Sequence, residues 1–162
     1  MNHSKKFPRC YVIVGEKINW KVSLDKNVWG FTERSKGLWN KIEINEFLAF
    51  YVTKPIQKII GFGQITEKFI DDEILWADEK LFNRAIWKYR INFKLIHVID
   101  DWSKGITAPE NMILRSSRVV IDNNLFFDCV KNAEEQWKIN ILKEIKKEFK
   151  KLKQTKNVYE NK

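Results

Sequence analysis

The chain has little cysteine, histidine, proline or glycine, and each scarcity excludes something. Two cysteines, Cys10 and Cys129, stand far apart among 162 residues and form neither a CxxC pair nor a metal-ligand spacing. They read as reduced thiols in a cytoplasmic protein. The two histidines, His3 and His97, are too few and too separated for a zinc site, so no metal and no cofactor is expected. Six glycines include no Walker or Rossmann loop. No apolar run approaches the roughly 20 residues of a membrane-spanning helix. The segment Met1 to Arg9 is basic and lacks the apolar stretch of a secretory signal. No internal repeat or low-complexity linker is visible.

What is present is a hydrophobic content of 44%, enough for one domain with a real core. Aromatic residues make up 14%: seven Trp, eleven Phe and four Tyr. The net charge is +9, and its distribution is uneven. Residues 143–162 hold eight lysines against three glutamates, a net +5, leaving about +4 for the rest. That cluster reads either as a solvated helix face or as a phosphate-attracting arm.

The pattern along the chain predicts a first strand at Cys10-Tyr-Val-Ile-Val14. Asn19 serves as a candidate N-cap for a short helix from Trp20 to about Lys26, which Asn27-Val-Trp-Gly30 ends. A second short helix spans Arg34 to Ile42. Phe47-Leu-Ala-Phe-Tyr-Val-Thr53 reads as a strand, and Lys58 to Thr66 as its antiparallel partner beyond Lys54-Pro55. Gly61 and Gly63 within that partner suggest a bulge or a close packing contact. Phe69 to Ala77 is irregular. Trp87 to Val98 alternates as a long strand with Tyr89, Ile91, Phe93 and Leu95 on one face and Lys88, Arg90, Asn92 and Lys94 on the other. After a loop and a short Val119-Val-Ile121 run, one amphipathic helix is expected over residues 131–153, with Trp137, Ile141, Leu142, Ile145, Phe149 and Leu152 forming its apolar stripe. The expected organisation is a basic tail at 1–9, a single domain at 10–153 and a frayed basic tail at 154–162. The element order suggests an α+β fold, a small mixed sheet or barrel with helices outside.

A search for catalytic groups gives little. His97 lies on an apolar face with no motif around it, and Cys129 sits in Phe-Phe-Asp-Cys-Val, a setting of inert core thiols. Asp71-Asp72-Glu73 and Asp100-Asp101 could act as paired acids or hold Mg²⁺, but adjacent carboxylates in a loop point apart. Tryptophans flanked by turn residues form the stronger constellation: Asn19-Trp20, Asn27-Val-Trp-Gly30, Ile74-Leu-Trp76 and Trp87-Lys-Tyr-Arg90. Two indoles can clamp a nucleobase while an Asn side chain and main-chain N–H groups read its edge. From spacing alone, Trp29 and Trp76 read more simply as ordinary core residues than as a cage.

These segments, in order, resemble an EVE domain, a branch of the PUA-like superfamily related to YTH domains. The resemblance runs through Tyr11-Val-Ile-Val-Gly15, Asn19-Trp20, Asn27-Val-Trp-Gly30, Glu33-Arg34, Leu38-Trp39, Asn45-Glu-Phe-Leu-Ala-Phe-Tyr51, Ile60-Gly-Phe-Gly63, Asp71 to Trp76 and Trp87-Lys-Tyr-Arg90. It covers residues 11 to about 98. Asn27, Asn45-Glu46 and Trp87-Lys88 depart from the family pattern, the last at a pocket edge. The resemblance implies a PUA-like mixed β-barrel that binds DNA or RNA carrying a modified base and is not an enzyme. It makes Trp29 one wall of an aromatic cage and Trp76 the facing wall, with Asn19 and the Gly30 main chain on the base edge and Trp87 at the back or rim. Lys88, Arg90, Lys94 and Arg118 would attract phosphates. Two other readings stay open: a nucleotide or small-molecule enzyme using Asp71 and Asp72 in the same pocket, and an interaction module working through the C-terminal helix.

Overall fold

The computed structural model describes residues 7–120 and 122–160, with side chains to residue 155. Six strands form one mixed sheet: β1 (Cys10–Gly15), β2 (Val28–Phe31), β3 (Phe47–Val52), β4 (Lys58–Ile70), β5 (Tyr89–Val98) and β6 (Arg118–Val119), in the order β2-β5-β4-β3-β1-β6. Among the described residues five α-helices accompany them: α1 (Lys17–Lys26), α2 (Lys36–Lys41), α3 (Ala77–Phe82), α4 (Asn123–Trp137) and α5 (Leu142–Glu160). This is the expected α+β class. β1 and β3 run parallel, Cys10 opposite Phe47, because the chain between them carries α1, β2 and α2. β3, β4 and β5 follow as antiparallel neighbours.

Every residue of β3 is buried, since helices and loops cover both sides of the sheet. Strand alternation sorts the side chains. Phe47, Ala49 and Tyr51 join Cys10, Val12, Phe62, Phe126 and Phe149 in a core under α4 and α5. Leu48, Phe50 and Val52 join Tyr11, Ile13, Trp20, Trp29 and Phe93 on the other side. The two glycines of β4 occur where contacts are tight, as expected. A Cβ on Gly61 would lie 2.4 Å from the His97 carbonyl oxygen, and one on Gly63 would lie 2.6 Å from Phe50 Cζ. The register with β5 shifts between Phe62 and Gly63.

Three expectations about the ends of the chain change. The single helix over 131–153 is two helices, because Lys138 adopts the left-handed conformation (φ 58°) that closes α4. The Glu134 carboxylate then accepts hydrogen bonds from the Ile141 and Leu142 N–H groups (2.7 and 3.1 Å), satisfying donors at the start of α5. The helix continues to Glu160, past the expected fraying point at 154. The tail at 1–9 also ends earlier. Arg9 is buried, its N–H donates to Glu46 and its guanidinium donates to the Lys41 carbonyl. Residues 1–6, Ile121 and 161–162 lie outside the described residues.

Candidate nucleic-acid interface

Asn19 is not the N-cap of α1. Glu16 occupies that position, and Asn19 lies within the helix, half-buried. Helical spacing places Asn19, Val22 and Ser23 on one face. That face meets Trp76, whose indole N–H donates to Ser23 Oγ at 3.0 Å. Trp20 lies on the interior side and donates to the Tyr51 carbonyl at 2.8 Å. Asn27, in the left-handed region at φ 55°, ends α1 as its residue type favours, and β2 begins at the next residue.

Alternation along β2 then separates the tryptophans. Trp29 and Phe31 belong to the interior cluster with Trp20 and Phe50, the Trp20 and Trp29 rings being 4.4 Å apart. Gly15 is the floor beneath Trp29, since a Cβ there would fall 2.2 Å from the ring. Val28 and Gly30 belong to the opposite face. Val28 clusters with Leu75 and Trp76, against which Val22, Phe69 and Trp87 pack. A Cβ on Gly30 would lie 2.5 Å from Trp87 Cβ and 3.0 Å from Trp76 Cη2. Trp29 and Trp76 therefore contact different faces of β2 and are not facing walls. The indole that meets Trp76 is Trp87, edge-on at 5.6 Å and 76°. Gly30, Trp76 and Trp87 come together beside the α1 face that carries Asn19, Val22 and Ser23; Trp29 stands behind the strand.

A buried carboxylate that the sequence pattern did not single out fixes this cluster. Glu79, fully buried on α3, accepts from the N–H groups of Leu75 and Trp76 through Oε1 (2.9 and 3.3 Å). Its Oε2 accepts from Ile86 and Trp87 (2.8 and 3.1 Å). One carboxylate thus ties down the main chain of both indoles. The available signal was spacing: a Glu three residues after the N-cap of a short helix, here Trp76, is a capping pattern.

Arg90 departs most from expectation. Alternation puts it on the side of β5 away from Ile91, but the 71–76 segment and α3 cover that side, so the guanidinium is buried. It forms ion pairs with Asp71 (3.5 Å) and Glu79 (3.4 Å), donates to the Trp87 and Glu73 carbonyls, and lies 5.2 Å over the Trp76 ring. A group so enclosed braces the Trp76 loop and does not present itself to phosphates. Asp71 is correspondingly committed to Arg90, whereas Asp72 is exposed, so the two do not converge as a catalytic pair.

Lys88, next to Trp87, and Lys94 are exposed. Arg118 is half-buried on β6, at the other end of the strand order from β2, and its guanidinium donates to the Ser116 carbonyl and hydroxyl oxygens. His97 stacks on Trp137 at 5.7 Å. Cys129 is fully buried, and burial pushes its thiol up to about 12.

No protein-family model and no curated protein sequence matches the chain. Solved structures do. The chain is similar to the Mmi1 YTH domain in a complex with RNA (TM-score 0.55, 13% identity, 82% of each chain covered). It is similar to the YTH domain of Zygosaccharomyces rouxii MRB1 in complex with N6-methyladenosine RNA (TM-score 0.53, 12% identity, 76% of this chain and 84% of that one). A hypothetical protein from Leishmania major also matches (TM-score 0.55, 11% identity, 79% and 96% covered). This chain has the mixed α+β fold of YTH domains.

Proposed function

We propose that the chain is a non-enzymatic, EVE-type RNA-binding domain that recognises a modified base at the α1–β2 edge. One observation supports the reading: Gly30, Trp76 and Trp87 pack together beside the α1 face that carries Asn19, in a YTH-like fold. Two solved structures with that fold are described as RNA complexes, one of them with N6-methyladenosine RNA. In this reading an unstacked base lies against Trp76 in the space now filled by the Trp87 ring. Trp87 is half-buried, and in this reading its ring swings aside to stack on the other side of the base as the rim wall. The Asn19 amide and the Gly30 main chain meet the base edge. Extruding a base costs a few kcal/mol, and stacking on an indole returns about 1–3 kcal/mol. Lys88 and Lys94 add phosphate attraction that weakens with salt. Trp29 is reassigned from cage wall to support, holding Gly15 and α1 in register.

The test compares Asn19→Ala and Trp87→Ala with the parent protein, using a short RNA carrying one N6-methyladenosine. Both sites are half-buried, so the variants are expected to stay folded. Each lowers affinity at least tenfold in this account. Unchanged affinity in both would remove the assignment of the site.

A further inference from the structure

The apolar stripe of α5 faces the core through Ile145, Phe149 and Leu152. At 100° per residue, Lys143, Lys146, Lys147, Lys150 and Lys153 fall within one sector of about 120°, in which Lys143, Lys147 and Lys150 point away from the stripe and Lys146 and Lys153 border it beside Phe149, and all five are exposed. The acids do not interrupt that sector. Glu144 and Glu148 lie together on one flank, where Glu148 pairs with Lys151 at 3.6 Å. Lys146 and Lys153 rest their ammonium groups 5.4 and 5.6 Å from the rings of Phe127 and Phe149, along the border between the apolar stripe and the exposed face. Among the described residues no ion pair involves any of these five lysines. From Lys143 to Lys153 the row is about 15 Å long.

We infer that this lysine row is a second nucleic-acid contact, a track for the phosphate backbone that is separate from the tryptophan cluster. The occupant follows from charge complementarity. A continuous cationic row with no acid inside it matches a polymer that repeats a negative charge every few ångströms. Like other phosphate contacts it adds affinity without reading sequence. α5 packs on the core shared with Phe47 and Phe126, whereas the tryptophan cluster lies beyond β2 and β5. The track therefore serves RNA longer than the nucleotides around the modified base. The inference extends the reader proposal but does not depend on it.

The test uses the full chain and a variant combining Lys143→Gln, Lys146→Gln, Lys147→Gln, Lys150→Gln and Lys153→Gln, with the same five positions changed to Arg as a control. Three probes are titrated: an unmodified oligouridylate long enough to span the row, the nucleoside N6-methyladenosine, and phosphatidylserine-containing vesicles. The Gln variant is expected to bind the oligouridylate at least tenfold more weakly. Its dependence of log K on log salt should be shallower by about 2–3, given about 0.7 per phosphate contact on a single strand. The Arg variant should retain binding, and nucleoside affinity should not change. Unaltered oligouridylate affinity and salt slope would overturn the inference. So would a parent protein that binds the vesicles through these lysines but not the oligouridylate. If neither protein binds the nucleoside while the oligouridylate results hold, the reader proposal fails and the lysine track stands.

Discussion

Gly30 and Trp87 are in contact so close that the glycine has no room for a side chain: a Cβ would lie 2.5 Å from Trp87 Cβ. The φ of Gly30 is outside the left-handed region, so alanine is acceptable to the backbone and the conflict is purely steric. Gly30→Ala should push Trp87 off β2, destabilise the fold by about 1–3 kcal/mol as overpacking does, and shift the near-ultraviolet tryptophan signal. A stability and spectrum equal to the parent's would show that Trp87 is not held there.

Glu79 gathers the N–H groups of Leu75, Trp76, Ile86 and Trp87 and pairs with Arg90. In Glu79→Gln one of the two acceptor oxygens becomes an amide nitrogen pointing at N–H donors, and Arg90 loses a buried countercharge. A loss of about 3–5 kcal/mol is expected from breaking one side of a buried pair. Urea denaturation measures it, and amide exchange at Trp76 and Trp87 should accelerate. A cost under 1 kcal/mol would mean that other contacts hold the two indoles.

The second buried carboxylate carries the pH dependence. Burial is the main influence raising the Glu46 pKa, partly opposed by hydrogen bonds from Tyr11, Glu43 and Arg9. A folded-state pKa above the unfolded 4.5 means that the native state holds this proton more tightly. The stabilisation is therefore complete below pH 4.5 and is lost as pH rises through the folded value. Glu46→Gln should remove that fall from the stability-pH curve. A variant whose curve retains it would assign the slope to another group.

Cys10 and Cys129 are both fully buried, and burial raises both thiols, Cys129 to about 12. At pH 8 neither should react with a thiol reagent in the native protein, and both should react in denaturant. Labelling of the folded chain at either site would contradict the packing described.

The strands were legible because their apolar runs carry a period: β1, β3 and β5 lie where the sequence predicts them, and β4 begins at Lys58 as predicted but runs on to Ile70, past the expected end at Thr66 and into the segment read as irregular. The YTH-like fold agrees with what the motif order implies. What could not be read was which side of a strand other elements would cover. Arg90 occupies an outward position on β5, and a cation there reads as solvent-facing unless the 71–76 segment and α3 are known to close over it. Trp29 and Trp76 share a residue type suited to a cage, yet β2 sends Trp29 inward and Gly30 outward, a sorting set by pairing with β5. The division of the C-terminal helix was hidden for a local reason. Lys138 is a residue type without a strong preference for the left-handed conformation, and nothing in the apolar stripe marks the break.

The central claim is that a base modification is read at the cluster of Gly30, Trp76 and Trp87 beside Asn19. Intrinsic tryptophan fluorescence with two short RNAs, identical except for one N6-methyl group on a single adenine, tests it most directly at low and at higher salt. The account predicts tighter binding of the methylated strand at both salt concentrations, by about tenfold or more, because one well-placed apolar contact is worth about 1–3 kcal/mol. Equal affinities that fall together as salt rises would contradict it, leaving the tryptophans as core and the lysines as the only contact with RNA.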